Sequence, residues 1–114
     1  MLTMSEIHGR IEKELDRLEE LVQEVKDAGY ATASTESEYK SEAAKCSLTI
    51  RATSTEKRTV GEIEAEVQIA CESQHLAFLI AANNLVAVRE AVKASIARAD
   101  ALRSLLASYR GAGG

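Results

Sequence analysis

At 114 residues the chain is one domain at most, and 4% aromatic content with no Trp and a single Phe (Phe78) leaves few rings for a globular core. Ala, Leu, Ile and Val carry the apolar fraction and no Pro interrupts it, which suits close helix–helix seams and long helices. The formal net charge of −4 argues mildly against nucleic acid but is uneven: residues 1–29 hold eight acids and four bases, residues 73–114 two acids and five bases.

Thr3-Met4-Ser5-Glu6 has the T-x-x-E form of a capping box and predicts a helix start near Met4. Ile7, Ile11, Leu15, Leu18, Val22 and Val25 then recur at spacings of 4 and 3, close to the 3.5-residue period of a coiled coil. Gly29 ends or bends this helix, and the small, polar stretch at 29–37 is the expected place for a break or kink. A second stripe at Tyr39, Ala43, Cys46 and Ile50 extends the arm over 4–53.

Thr53-Ser54-Thr55-Glu56-Lys57-Arg58 has no apolar residue and predicts a turn at 54–59. Thr59-Val60-Gly61-Glu62 is a second capping box, opening a long helix over 60–110 whose apolar positions include Ile63, Val67, Leu85, Val88, Val92, Ile96, Leu102 and Leu106. A rival reading pairs 46–53 with 62–71 as a β-hairpin, because apolar residues alternate in both. Glu and Ala favour helix over strand, so the helical reading leads. The glycines at 111–114 are expected to form a flexible tail.

The expected fold is therefore all-α: residues 1–110 form a single domain, a long antiparallel, coiled-coil-like helical hairpin. Its expected seam comprises Ile7, Ile11, Leu15, Leu18, Val22, Leu85, Val92, Ile96 and Leu106. An unbroken arm would reach ~75 Å, too long for two helices to cover their own stripes. Assembly of copies into an oligomeric helical bundle is the expected remedy.

No Gly-rich phosphate loop, Ser/His/Asp order or metal-type cysteine pair occurs, so no catalytic residue, metal, cofactor or small-molecule substrate is expected. Cys71 and His75 are spaced i, i+4 with Cys46 on the other arm, but cysteines among apolar residues usually act as small hydrophobes. Glu62, Glu64 and Glu66 read as a solvated face, since i and i+2 point apart on a helix. Asn83-Asn84 is either a register-setting pair at a helical interface or surface filler. The start of the chain has no basic-then-apolar leader, and the apolar run Leu76 to Val88 is split by those asparagines and too short for a bilayer. A cytoplasmic protein with two thiols and no membrane contact is expected.

Basic residues cluster before and in the turn (Lys40, Lys45, Arg51, Lys57, Arg58). Arg89, Lys93, Arg103 and Arg110 share roughly a 100° arc of the last helix. They are either flanks of the seam that answer the acidic first helix or a surface that tracks phosphates.

The order Glu38-Tyr39-Lys40…Lys45, Arg51, Lys57-Arg58-Thr59-Val60 with Glu62 and Glu64, and Asp100-Ala101-Leu102-Arg103-Ser104-Leu105-Leu106…Arg110 resembles the UvsY-like recombination mediators of T-even-type phages. The resemblance covers roughly residues 36–110. It implies a phage-encoded, cytoplasmic, non-enzymatic homo-oligomer that binds single-stranded DNA and helps load a recombinase. By the same resemblance Lys40, Lys45, Arg51, Lys57, Arg58, Arg103 and Arg110 would meet DNA. The chain departs from that family in being shorter, more acidic at the front and poorer in aromatics. The alternative is an oligomeric helical adaptor or inhibitor that binds a protein partner, such as a host defence component, without touching DNA.

Overall fold

The computed structural model describes residues 1–113 and is all-α: α1 spans Met4–Thr53, α2 Val60–Ala70 and α3 Glu72–Gly113. No strand occurs among the described residues: 46–53 and 62–70 are helical and Cys71 is a turn between two helices. Both T-x-x-E motifs act at helix starts. Thr3 Oγ1 accepts from the Glu6 N–H and Thr59 Oγ1 from the Glu62 N–H, each at 3.1 Å, satisfying N–H groups that have no partner within the helix.

The break expected at 29–37 is not there, because α1 runs through Gly29 without interruption. A glycine stops a helix by turning left-handed, and no described glycine has a positive φ. The threonines that follow turn back on their own helix. Thr32 Oγ1 donates to the Ala28 carbonyl at 2.8 Å and Thr35 Oγ1 to the Ala31 carbonyl at 2.7 Å. α3 likewise continues through Gly111 to Gly113, where a tail was expected; Gly114 lies outside the described residues.

The long helix expected over 60–110 is instead divided at Cys71, whose backbone sits at φ −106°, ψ 18°. Hydrogen bonds bridge the division, from Cys71 N–H to the Val67 carbonyl and from His75 N–H to the Cys71 carbonyl. The sequence supplies a reason. Covered positions after the turn include the series Ile63, Val67, Cys71, Gln74, Phe78, Ala81 and Leu85. Two successive steps of four precede a regular alternation of three and four, which is a stutter in a heptad pattern. A local departure from helix geometry at Cys71 takes up that change of phase.

Two compact units arise. One contains Ala28–Leu85, with the turn and α2 inside it. Within it the end of α1 packs antiparallel against α2 and the start of α3: Thr32 Oγ1 donates to the Ala81 carbonyl at 3.2 Å, and the Tyr39 ring stacks on His75 with centroids 4.8 Å apart. Ala28, Ile63 and Cys71 are its buried apolar residues.

The other unit joins Met1–Asp27 to the chain from Val86 onward. Its seam alternates in steps of three and four on both helices: Ile7, Ile11, Glu14, Leu18, Leu21 and Val25 on α1, and Val88, Val92, Ser95, Ala99, Leu102 and Leu106 on α3. This is heptad packing between antiparallel helices.

Candidate functional site

The seam of the Met1–Asp27 unit departs from the expected one at two positions on α1 and one on α3, each shifted by one residue. Glu14 and Leu21 take the places expected for Leu15 and Val22, and Ser95 takes the place of Ile96. Leu21 is 1% and Ser95 0% exposed, whereas Leu15, Val22 and Ile96 stay 41%, 48% and 45% exposed. Counting apolar residues favours the other choice. Hydrogen bonding explains the outcome: Glu14 Oε2 accepts from Ser95 Oγ and Oε1 from Arg98 Nε, both at 2.8 Å. A carboxylate so satisfied can lie at a seam without the usual penalty, and small residues at Ser95 and Ala99 allow close approach of the helices. The Ser95 and Arg98 hydrogen bonds hold the Glu14 carboxyl below the ordinary glutamate value.

Leu15, Val22 and Ile96 thus form an apolar face on one side of the seam. It continues as a shallow groove lined by Val22, Val25, Lys26, Arg89, Val92 and Lys93. Leu15 follows Glu14 and Ile96 follows Ser95 on the same side of the seam, about 3 Å apart along the axes from a level Glu14–Ser95 pair because the helices run antiparallel. One heptad further along, Val22 on α1 and Arg89 on α3 both line the groove.

The unit Ala28–Leu85 has its own exposed aliphatics, among them Ile69, Leu76, Leu79 and Ile80. By length and composition alone, the stretch Glu72–Gly111 would pass for a bilayer-crossing helix. Asn83 and Asn84 are both exposed, not placed at a helical interface within the chain.

The seven residues expected to meet DNA are distributed over the two units. In Ala28–Leu85, Lys40 Nζ lies 2.7 Å from Glu36 and Lys45 Nζ 3.6 Å from Glu42. Arg58 is half-buried against the start of α2, with Glu62 at 3.9 Å and Glu66 in direct contact. Its guanidinium therefore ties the turn to the helix. Arg51 and Lys57 are exposed and take part in no ion pair among the described residues. In the other unit Arg103 lies 3.6 Å from Asp100, and Arg110 is exposed. Four of the seven cations are thus already matched by carboxylates of the same chain.

Cys71 is buried and Cys46 half-buried, and both are free thiols. Burial above all, then the neighbouring Cys46 and Glu42, pushes the Cys71 thiol up from its ordinary value. Among the described residues no three His, Cys, Asp or Glu side chains are grouped as a metal site would need. His75 has its ring against Tyr39.

Sequence reasoning found the stripes but missed the Glu14, Ser95 and Arg98 cluster. The available signal was an acid, a serine and an arginine at positions consistent with an antiparallel seam. Comparison with known proteins finds no matching family model, no matching curated protein and no matching solved structure.

Proposed function

We propose that this chain is a non-enzymatic helical interaction module that docks other helices through the face formed by Leu15, Val22 and Ile96. The observation that carries this reading is the half-exposure of three large aliphatics at one side of a regular seam. Burying the rest of each would contribute roughly 1 kcal/mol, and a helical partner offers the complementary ridge spacing. The matched cations weigh against the single-stranded-DNA role implied by the resemblance to UvsY-like mediators. Phosphate binding would have to displace those carboxylates or rely on the few remaining bases.

The test is a photocrosslinking amino acid placed at Val22, with Lys13 on the other flank of α1 as a control position. Protein adducts from Val22 and few from Lys13 support the reading. Equal adducts from both positions, or none from either, overturn it. Nucleic-acid adducts from the same probe placed at Lys57, with no protein adduct from Val22, favour the DNA-binding alternative.

A further inference from the structure

The two cysteines meet inside the unit Ala28–Leu85, and two observations place them together. The first is register. The Tyr39 ring of α1 stacks against Phe78 as well as His75 of α3, with centroids 6.5 Å and 4.8 Å apart. Cys46 lies seven residues after Tyr39, and Cys71 seven before Phe78. On antiparallel helices these equal heptad steps return the pair to the same relative level and the same faces. The second is mutual influence. After burial, the neighbouring Cys46 thiol is the next cause that raises Cys71, so the two sulfurs are close neighbours.

Their surroundings differ. Cys46 is half-buried, whereas Cys71 is 3% exposed, so a small reagent reaches Cys46 first. Cys71 also sits at the division between α2 and α3, where its backbone is already out of helix at φ −106°, ψ 18°. A residue there can move towards its partner without breaking a long run of helix. A disulfide requires such freedom, because its α-carbons must come to about 4.4–6.8 Å.

We infer that Cys46 and Cys71 form a reversible oxidation site that closes into a disulfide, with Cys46 as the attacking thiol and Cys71 as the resolving one. The oxidant is a small-molecule disulfide such as glutathione disulfide. The Cys46 thiolate attacks one of its sulfurs and forms a mixed disulfide, and the small thiolate that leaves takes up the proton Cys46 released. Cys71 then attacks the Cys46 sulfur, and the second small thiol departs with the proton from Cys71. Two protein thiols are oxidised, one small disulfide is reduced to two thiols, and no proton is gained or lost. Burial disfavours the Cys71 thiolate, which makes it a poor nucleophile towards outside reagents. A mixed disulfide held beside it needs no encounter. The bond closes a loop of roughly 25 residues around the turn and ties α1 to the start of α3. In a reducing setting the thiols persist, and the staple forms on oxidative challenge.

The experiment incubates the full chain with glutathione disulfide, then alkylates the remaining thiols and maps the peptides by mass spectrometry. The wild type should lose the mass of two hydrogens and yield a Cys46–Cys71 linked peptide, at a rate independent of protein concentration. Cys71→Ala should stop as the glutathione mixed disulfide on Cys46. Cys46→Ser should react at Cys71 at least about tenfold more slowly. The oxidised wild type should melt roughly 10 °C above the reduced one, and dithiothreitol should abolish the difference.

A wild type that holds glutathione on Cys46 without closing, or that links only between chains, overturns the proposal. So does a wild type left unmodified, or a disulfide that fails to raise the melting temperature. Mapping the wild type decides the matter by itself, so a variant that misfolds does not shield the proposal from refutation.

Discussion

The Ser95 hydroxyl donates to the Glu14 carboxylate at 2.8 Å across the seam, joining helices whose contacting residues lie 81 apart in the chain. The Arg98 Nε donates to the other oxygen of the same carboxylate, also at 2.8 Å. The two donors fix the register in which Leu15 and Val22 stay outside.

Acid should weaken this joint. Because the Ser95 and Arg98 hydrogen bonds lower the Glu14 value in the folded state, their contribution is complete above the ordinary glutamate range. It is lost as pH falls through the lowered value. Thermal unfolding followed from pH 7 to pH 3 should show a melting temperature that declines on the acid side. Glu14→Gln should melt lower at neutral pH and show a shallower acid decline, so the two curves converge. Parallel curves would mean that the carboxylate contributes nothing to folding.

The two thiols should differ in reactivity. Cys46 is half-buried, whereas Cys71 is buried and its thiol raised chiefly by that burial. A thiol reagent at pH 8 should modify one cysteine per chain at least about tenfold faster than the other, and peptide mapping should identify it as Cys46. Faster labelling at Cys71 would show that the division between α2 and α3 opens to solvent.

Gly29 should tolerate, and gain from, a side chain. Its backbone is helical and a Cβ there would meet nothing within 4 Å. Gly29→Ala should stabilise the chain by up to about 1 kcal/mol, raising the melting temperature by roughly 3–6 °C. Destabilisation would reveal a close neighbour at this position that the single chain does not have.

Single-stranded DNA should not bind appreciably at about 0.1 M salt. A labelled oligonucleotide titrated at micromolar protein should keep its anisotropy. Should it bind, the log–log salt slope would be roughly −0.7 for each phosphate contacted. Arg51→Ala with Lys57→Ala would then flatten it by about one to two contacts, whereas Lys40→Ala, already matched by Glu36, would change it less.

The helical class, both helix starts and the turn follow from local signals. Thr3 and Thr59 cap as their motifs imply, and the stretch between Thr53 and Val60 holds nothing to bury. The division at Cys71 was also written in the spacing of Ile63, Val67 and Cys71, though only a heptad count exposes it. What could not be read locally was which of two adjacent stripes faces inward. Leu15 and Glu14 are one residue apart, and the choice depends on Ser95 and Arg98, which no window around residue 14 contains. Gly29 misled because glycine reports freedom to bend, while the bend itself needs a reason that the neighbouring helix does not supply.

The turn at 54–59 also dictates the order in which the chain folds. Contacts near it close short loops, such as Tyr39 with His75, while Glu14 must wait for Ser95 at a far greater separation. Loop-closure entropy grows with length, so the hairpin around the turn forms first and zips outward. During synthesis the first half of α1 is therefore complete, with Ile7 and Leu21 still open to water, until the last third of the chain has been made. For that interval the amino-terminal helix is the segment of this protein that a chaperone, or a neighbouring nascent copy, would meet first.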